Sequence, residues 1–144
     1  GCMQVIPGTH LIDQLPHNDT FAENNLLTRG QEVQVDVNPN DAVDVILQAG
    51  EMSLHHVRLV HGSPPIRSND RRIGYAIRYV PTYVHQTAGK RDSAMLVRGI
   101  DTYKHFLPEP RPIIDFGADE REFHTAATEE SMRILYRGTD KAPQ

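Results

Sequence analysis

Residues Leu54–Thr82 leave the backbone few options: they read as a strand, a break and a second strand. The break is Gly62-Ser63-Pro64-Pro65, where two prolines lack the N–H that a sheet ladder needs. Side chains alternate along a strand, so Val57, Leu59 and His61 share one face of the first run. Arg72, Gly74, Ala76 and Arg78 line one face of the second run, and Tyr75, Ile77 and Tyr79 the other. The small residues at 74 and 76 leave open space above their face. Arg72 stands at its mouth with a planar fork that can hold a carboxylate by two charge-assisted hydrogen bonds. His61 supplies an imidazole, the commonest protein ligand for a metal.

The rest of the chain repeats short extended runs. Gly1–Ile6 is a strand stopped by the turn dipeptide Pro7-Gly8, and residues 9–30 are polar and irregular. Gln31–Val37 alternates, with Val33, Val35 and Val37 on one face. A turn at Asn38-Pro39-Asn40-Asp41 leads to strands over Val43–Leu47 and Met52–His55, separated by a turn at Ala49-Gly50-Glu51. Short strands with turns every eight to twelve residues or so predict a mainly β fold, a sandwich or barrel of antiparallel strands. Pro81 ends the sheet region, and residues 82–117 read as an extended covering segment. Ala118–Arg137 contains no Gly or Pro and carries Phe123, Ala126, Ala127 and Ile134 on one helical face, with Glu130 as its flaw. Asp119, Glu120 and Glu122 near its start and Arg133 and Arg137 near its end suit the helix dipole, and Gly138 is placed to cap it. This predicts one C-terminal α-helix outside the sheet, with residues 1–82 as sheet core and 83–144 as covering segment and helix of the same domain.

Charge and cysteine usage narrow the classes. A net charge of −4 leaves no basic footprint for nucleic acid or a membrane surface. The single cysteine, Cys2, excludes an intramolecular disulfide and suits a reducing cytoplasm. No apolar run approaches a membrane span.

His61-Gly62-Ser63 followed by Arg72, eleven residues after the histidine, resembles the distal half of an Fe(II)- and 2-oxoglutarate-dependent oxygenase of the phytanoyl-CoA dioxygenase-like family. Gly1-Cys2-Met3-Gln4-Val5-Ile6-Pro7-Gly8-Thr9-His10 is similar to a second family stretch ending in Pro-Gly-Ser/Thr-His, and Gly50-Glu51 to a family Gly-Asp turn. Ile66 departs from the pattern, which usually has Asn there. The resemblance covers roughly residues 1–82. It implies a double-stranded β-helix (a jelly roll), His61 as the distal iron ligand, Arg72 as the residue holding the far carboxylate of 2-oxoglutarate, and a small organic or acyl substrate. It also implies that the chain, which opens without an initiator Met inside a family strand, is an N-terminally truncated fragment, inactive by itself.

Each residue also has a plainer reading. Alone, His61 would be a satisfied or surface histidine, and Arg72 a solvated rim arginine beside Arg67 and Arg71. The eleven-residue spacing and the shared face with Gly74 and Ala76 favour Arg72 over Arg71. Arg78 lies further along that face and suits substrate contact or a structural ion pair equally. His55 and His56 precede a turn, with His55 the better placed to face inward and neither read as catalytic; His85, His105 and His124 lack paired ligand spacing, and His10 reads as loop structure or a pocket wall.

A non-haem iron site takes two histidines and one carboxylate, the first His and the carboxylate usually as His-x-Asp. His17-Asn18-Asp19 has that form, but it follows the Pro-Gly-Thr-His stretch, where the family's motif precedes it. Next to Pro16 and among polar residues it reads as a loop and a decoy. Three alternatives stand beside the hydroxylase reading. One is a halogenase of the same family, which replaces the metal-binding carboxylate. Another is a cupin, which would not need Arg72. The third is a non-enzymatic binding module. Open sheet edges in so short a chain would favour a homodimer.

Overall fold

The computed structural model describes residues 1–23, 29–89 and 92–141, and the chain divides into two compact units, Gly1–Ala76 and Ile77–Gln144. Short strands and one C-terminal helix make the fold β-rich, as the sequence predicts.

In the first unit, β1 (Gln4–Val5) is the middle strand of an antiparallel sheet, between β4 (Val43–Asp44) and β5 (His61–Gly62). Val5 faces Val43 on one side and His61 on the other. Flanking bonds lengthen both ladders: Val45 N–H donates to the Met3 carbonyl at 2.8 Å, and Ile6 N–H to that of Val60 at 2.9 Å. The Cys2 thiol lies 3.3 Å from the Val45 carbonyl. Pro7-Gly8 ends β1 as predicted, with Gly8 at φ 84°, a left-handed conformation that glycine adopts without strain. A 3₁₀ turn, Thr9–Leu11, follows.

A second pair joins β2 (His17–Asp19) to β3 (Gln31–Val33), antiparallel. This corrects the loop reading of His17-Asn18-Asp19. Hydrogen bonds of the main chain make the pairing, and polar side chains do not prevent it when they stay at the surface.

The strands are shorter than the alternation suggests, and each has a local reason. Val35 N–H turns back to the Val33 carbonyl at 3.0 Å, so β3 cannot run on to Val37. Leu59 N–H closes a turn on the His56 carbonyl at 3.0 Å. Val57, Leu59 and His61 therefore do not share one strand face, and Met52–His55 is not a strand. Residues 72–80 form no strand either, because a ladder needs a neighbour and none pairs with them among the described residues. Ile73 is 76% and Tyr75 90% exposed.

In the second unit, β6 (Ser93–Ala94) runs parallel to β7 (Leu107–Pro108), and α1 spans Ala118–Leu135. The helix forms where the sequence is free of Gly and Pro. Phe123, Ala127, Glu130 and Ile134 are its half-buried face, spaced by three and four residues; Ala126 is exposed. Gly138 takes φ 82° just past the helix. Among the described residues Tyr136, 9% exposed at the end of α1, is the buried hydrophobic side chain.

Glu120, in the first turn of α1, reaches back to accept the Ile113 N–H at 2.8 Å and the Ile114 N–H at 3.3 Å. Those bonds hold its carboxyl below the usual carboxylate range. A depressed folded pKa stabilises above the ordinary value of 4.5, and the contribution is lost as pH falls through the lower, folded one. The far-UV helix signal should therefore drop as pH falls from 4.5 through the lower, folded value. Glu120→Gln should lower helix stability at neutral pH and remove this part of the acid step; an unchanged acid limb would refute the assignment.

Candidate functional site

His61 sits on β5, opposite Val5, with its side chain exposed. Its Nδ1 lies 2.7 Å from the Leu59 carbonyl oxygen. A carbonyl can only accept, so Nδ1 carries the proton, and in the neutral ring the lone pair is on Nε2. That is the tautomer a metal-ligating histidine needs when a backbone carbonyl holds its other nitrogen.

Arg72 reaches the same loop. Its Nη2 donates to Ser63 Oγ at 3.3 Å, two residues after His61. A Cβ on Gly74 would lie 3.5 Å from Arg72 Nη1, so the guanidinium folds along the space that the glycine leaves, although these residues form no strand and share no strand face. Ser63 accepts from Arg72 and keeps its own O–H free to rotate toward a bound anion. Arg71 differs: its backbone N–H donates to Asp70 Oδ1 at 2.8 Å. Ile66, the departure from the family pattern, packs where a Cβ on Gly1 would meet its Cγ1 at 2.5 Å, so glycine suits position 1.

The Pro-Gly-Thr-His segment clamps the approach to His61. Thr9 Oγ1 donates to the Ile6 carbonyl at 2.7 Å and accepts the Val60 N–H at 2.9 Å. Asp13 pairs with Arg58 at 3.0 Å. The His10 and His56 ring centroids are 6.1 Å apart, and His56 Nδ1 accepts the Arg58 N–H at 3.2 Å. The His55 ring lies 5.8 Å from that of His61, tilted by 55°. The sequence reading placed Thr9 within the Pro-Gly-Thr-His stretch but gave it no role, because nothing in that stretch says which backbone group its hydroxyl meets.

His17 and Asp19, two apart on β2, share a strand face. The Asp19 carboxylate is ion-paired with Arg29, whose hydrogen bond is the main cause of its lowered pKa. In the second unit, His85 and His105 approach to 5.2 Å between ring centroids, and Tyr103 stacks on His105 at 5.6 Å. Twenty residues separate the two histidines in sequence, which hides the contact. His124 is exposed on α1. A hollow of about 650 Å³ along α1 is walled by Ala88, Gly89, Glu130, Arg133 and Ile134, with Arg133 donating to Glu130 at 2.9 Å.

Among the described residues no three His, Cys, Asp or Glu side chains gather to hold a metal. His61 offers one imidazole nitrogen, and Arg72 and Ser63 together offer hydrogen-bond donors for an anion. Among them, too, no helix is long and apolar enough to cross a membrane.

A sequence model of the phytanoyl-CoA dioxygenase family matches residues 1–74. Among solved structures, a non-heme monooxygenase, ThoJ in its apo form, is similar with a TM-score of 0.76 and 42% identity. The match covers 94% of this chain, which spans 47% of that protein's chain. No curated protein matches.

Proposed function

The chain belongs to the phytanoyl-CoA dioxygenase family, and from that membership we propose that it carries the distal half of an Fe(II)- and 2-oxoglutarate-dependent oxygenase site. Oxygenation is the chemistry that both the family and the non-heme monooxygenase neighbour support. The observation that carries the finer reading is the meeting of Arg72 with Ser63, two residues from a His61 whose Nδ1 is held by the Leu59 carbonyl. Iron, when bound, would supply O2 activation and oxidative decarboxylation of the cosubstrate.

The protein's own groups do the rest. His61 presents the Nε2 lone pair. The Arg72 fork takes the far carboxylate of 2-oxoglutarate, with the Ser63 hydroxyl as a third donor. The proposed substrate is a small organic or acyl compound, on a double-stranded β-helix completed by strands other than those described. His17 and Asp19 are assigned to structure, because Arg29 already occupies the carboxylate. The test is Fe(II)-dependent binding of 2-oxoglutarate and its dependence on Arg72.

A second copy of the chain is the proposed partner. Ile73 and Tyr75 are exposed on a stretch that has no strand partner among the described residues, and unpaired backbone groups beside exposed apolar side chains invite pairing. Light scattering on the 144-residue chain should give a mass above the monomer's 16.2 kDa, most simply twice it. A concentration-independent monomer would dismiss the proposal.

A further inference from the structure

We infer that Thr9 is a positioning residue for His61, acting through a single peptide group. The inference rests on the reading of His61 as a metal ligand and adds the device that sets its tautomer. The peptide between Leu59 and Val60 is planar, so its C=O and N–H turn together. Thr9 Oγ1 accepts the N–H of that peptide at 2.9 Å, from Val60. The carbonyl of the same peptide, on Leu59, accepts His61 Nδ1–H at 2.7 Å. Fixing one end of the plane fixes the other.

The anchor behind Thr9 is β1. The Thr9 hydroxyl hydrogen goes to the Ile6 carbonyl at 2.7 Å, which leaves its lone pairs for Val60 N–H. Ile6 N–H in turn binds the Val60 carbonyl at 2.9 Å, so both backbone groups of Val60 are tied to residues 6–9. A chain of hydrogen bonds thus runs from Ile6 through Thr9 and the 59–60 peptide to the imidazole. Each bond polarises the next. The result is the Nδ1–H form with the Nε2 lone pair available to a metal. Valine at position 9 would keep the volume and remove both hydroxyl bonds. Serine would keep the hydroxyl.

The experiment is nitrogen-15 NMR of the His61 ring in the 144-residue chain at about pH 8, where an ordinary imidazole is neutral. Wild type and Thr9→Ser should show mainly the Nδ1–H tautomer. Thr9→Val, with the Gln4 and Val5 amide resonances retained, should shift the tautomer ratio about fivefold toward Nε2–H, the effect of one neutral hydrogen bond. A wild-type ring mainly in the Nε2–H form, or a ratio unmoved by Thr9→Val, overturns the inference. If Thr9→Val does not fold, the Val60 amide decides. Slow exchange with solvent in both wild type and Thr9→Ser supports the relay; fast exchange in either refutes it. None of these measurements involves iron. An enzyme indifferent to Fe(II) and 2-oxoglutarate would remove the proposed function and leave the tautomer result standing.

Discussion

Arg72→Ala is expected to weaken 2-oxoglutarate binding by roughly 50-fold or more, the loss of about 2–3 kcal/mol of charge-assisted hydrogen bonding. The measurement belongs on a form of the enzyme with all three iron ligands present, by isothermal titration of the Fe(II)-loaded protein. Arg71→Ala should change affinity by no more than about twofold, the usual range for a solvated surface charge. The contrast rests on the side-chain bond of Arg72 to Ser63. Arg72 meets Ser63 Oγ at 3.3 Å and lies beside Gly74, whereas Asp70 holds the backbone of Arg71 at 2.8 Å. Arg72→Lys keeps the charge but not the planar fork, so it should fall between the two. Equal losses for Arg71→Ala and Arg72→Ala would mean that the carboxylate sits elsewhere.

The second large effect concerns the metal. Anaerobic titration of the 144-residue chain with Fe(II), with 2-oxoglutarate present, should show no tight stoichiometric site. One imidazole cannot hold Fe(II) firmly, because such sites depend on three protein ligands converging in fixed geometry. His61 is the ligand proposed here. No cluster of three candidate ligands forms among the described residues. Asp19 shares a face with His17, but its carboxylate is already paired with Arg29. Breaking that pair would cost the ion pair of a guanidinium whose side chain is 13% exposed. A tight site lost on His17→Ala would restore His17 and Asp19 as ligands and displace the assignment made above.

The two halves of this site were legible to different degrees. His61 and Arg72 could be named as candidates because they stand eleven residues apart in a stretch that resembles the family's motif. The bond from Arg72 to Ser63 was not legible, since nothing in Gly-Ser-Pro-Pro says which way the loop folds back. α1 could be read almost to its ends: a run without Gly or Pro, with apolar residues every three or four positions, has one stable solution. Even Glu130, the polar residue on its inward face, lies where the periodicity puts it, and Arg133 answers its charge. The strands were harder. Alternation at Val33, Val35 and Val37 promised seven extended residues, and the bond from Val35 back to Val33 stopped β3 after three. At His17–Asp19 polarity argued for a loop, but pairing with Gln31–Val33 is a backbone matter that side chains do not announce.

The middle position of β1 has a kinetic side. Gln4 and Asp44, bonded side chain to side chain across β1 and β4, are 40 residues apart in the chain, and Thr9 and Val60 are 51 apart. Each such pairing must close a long loop, whose entropy cost grows slowly with length but precedes any gain from the contact. The turns of α1, by contrast, close over four residues and form within about a microsecond. His61 has its sheet place only when residues 4–9 have found residues 59–62 across that distance. The readiness of the imidazole is therefore a long-range property of the chain, lost whenever a two-residue strand near its beginning lets go.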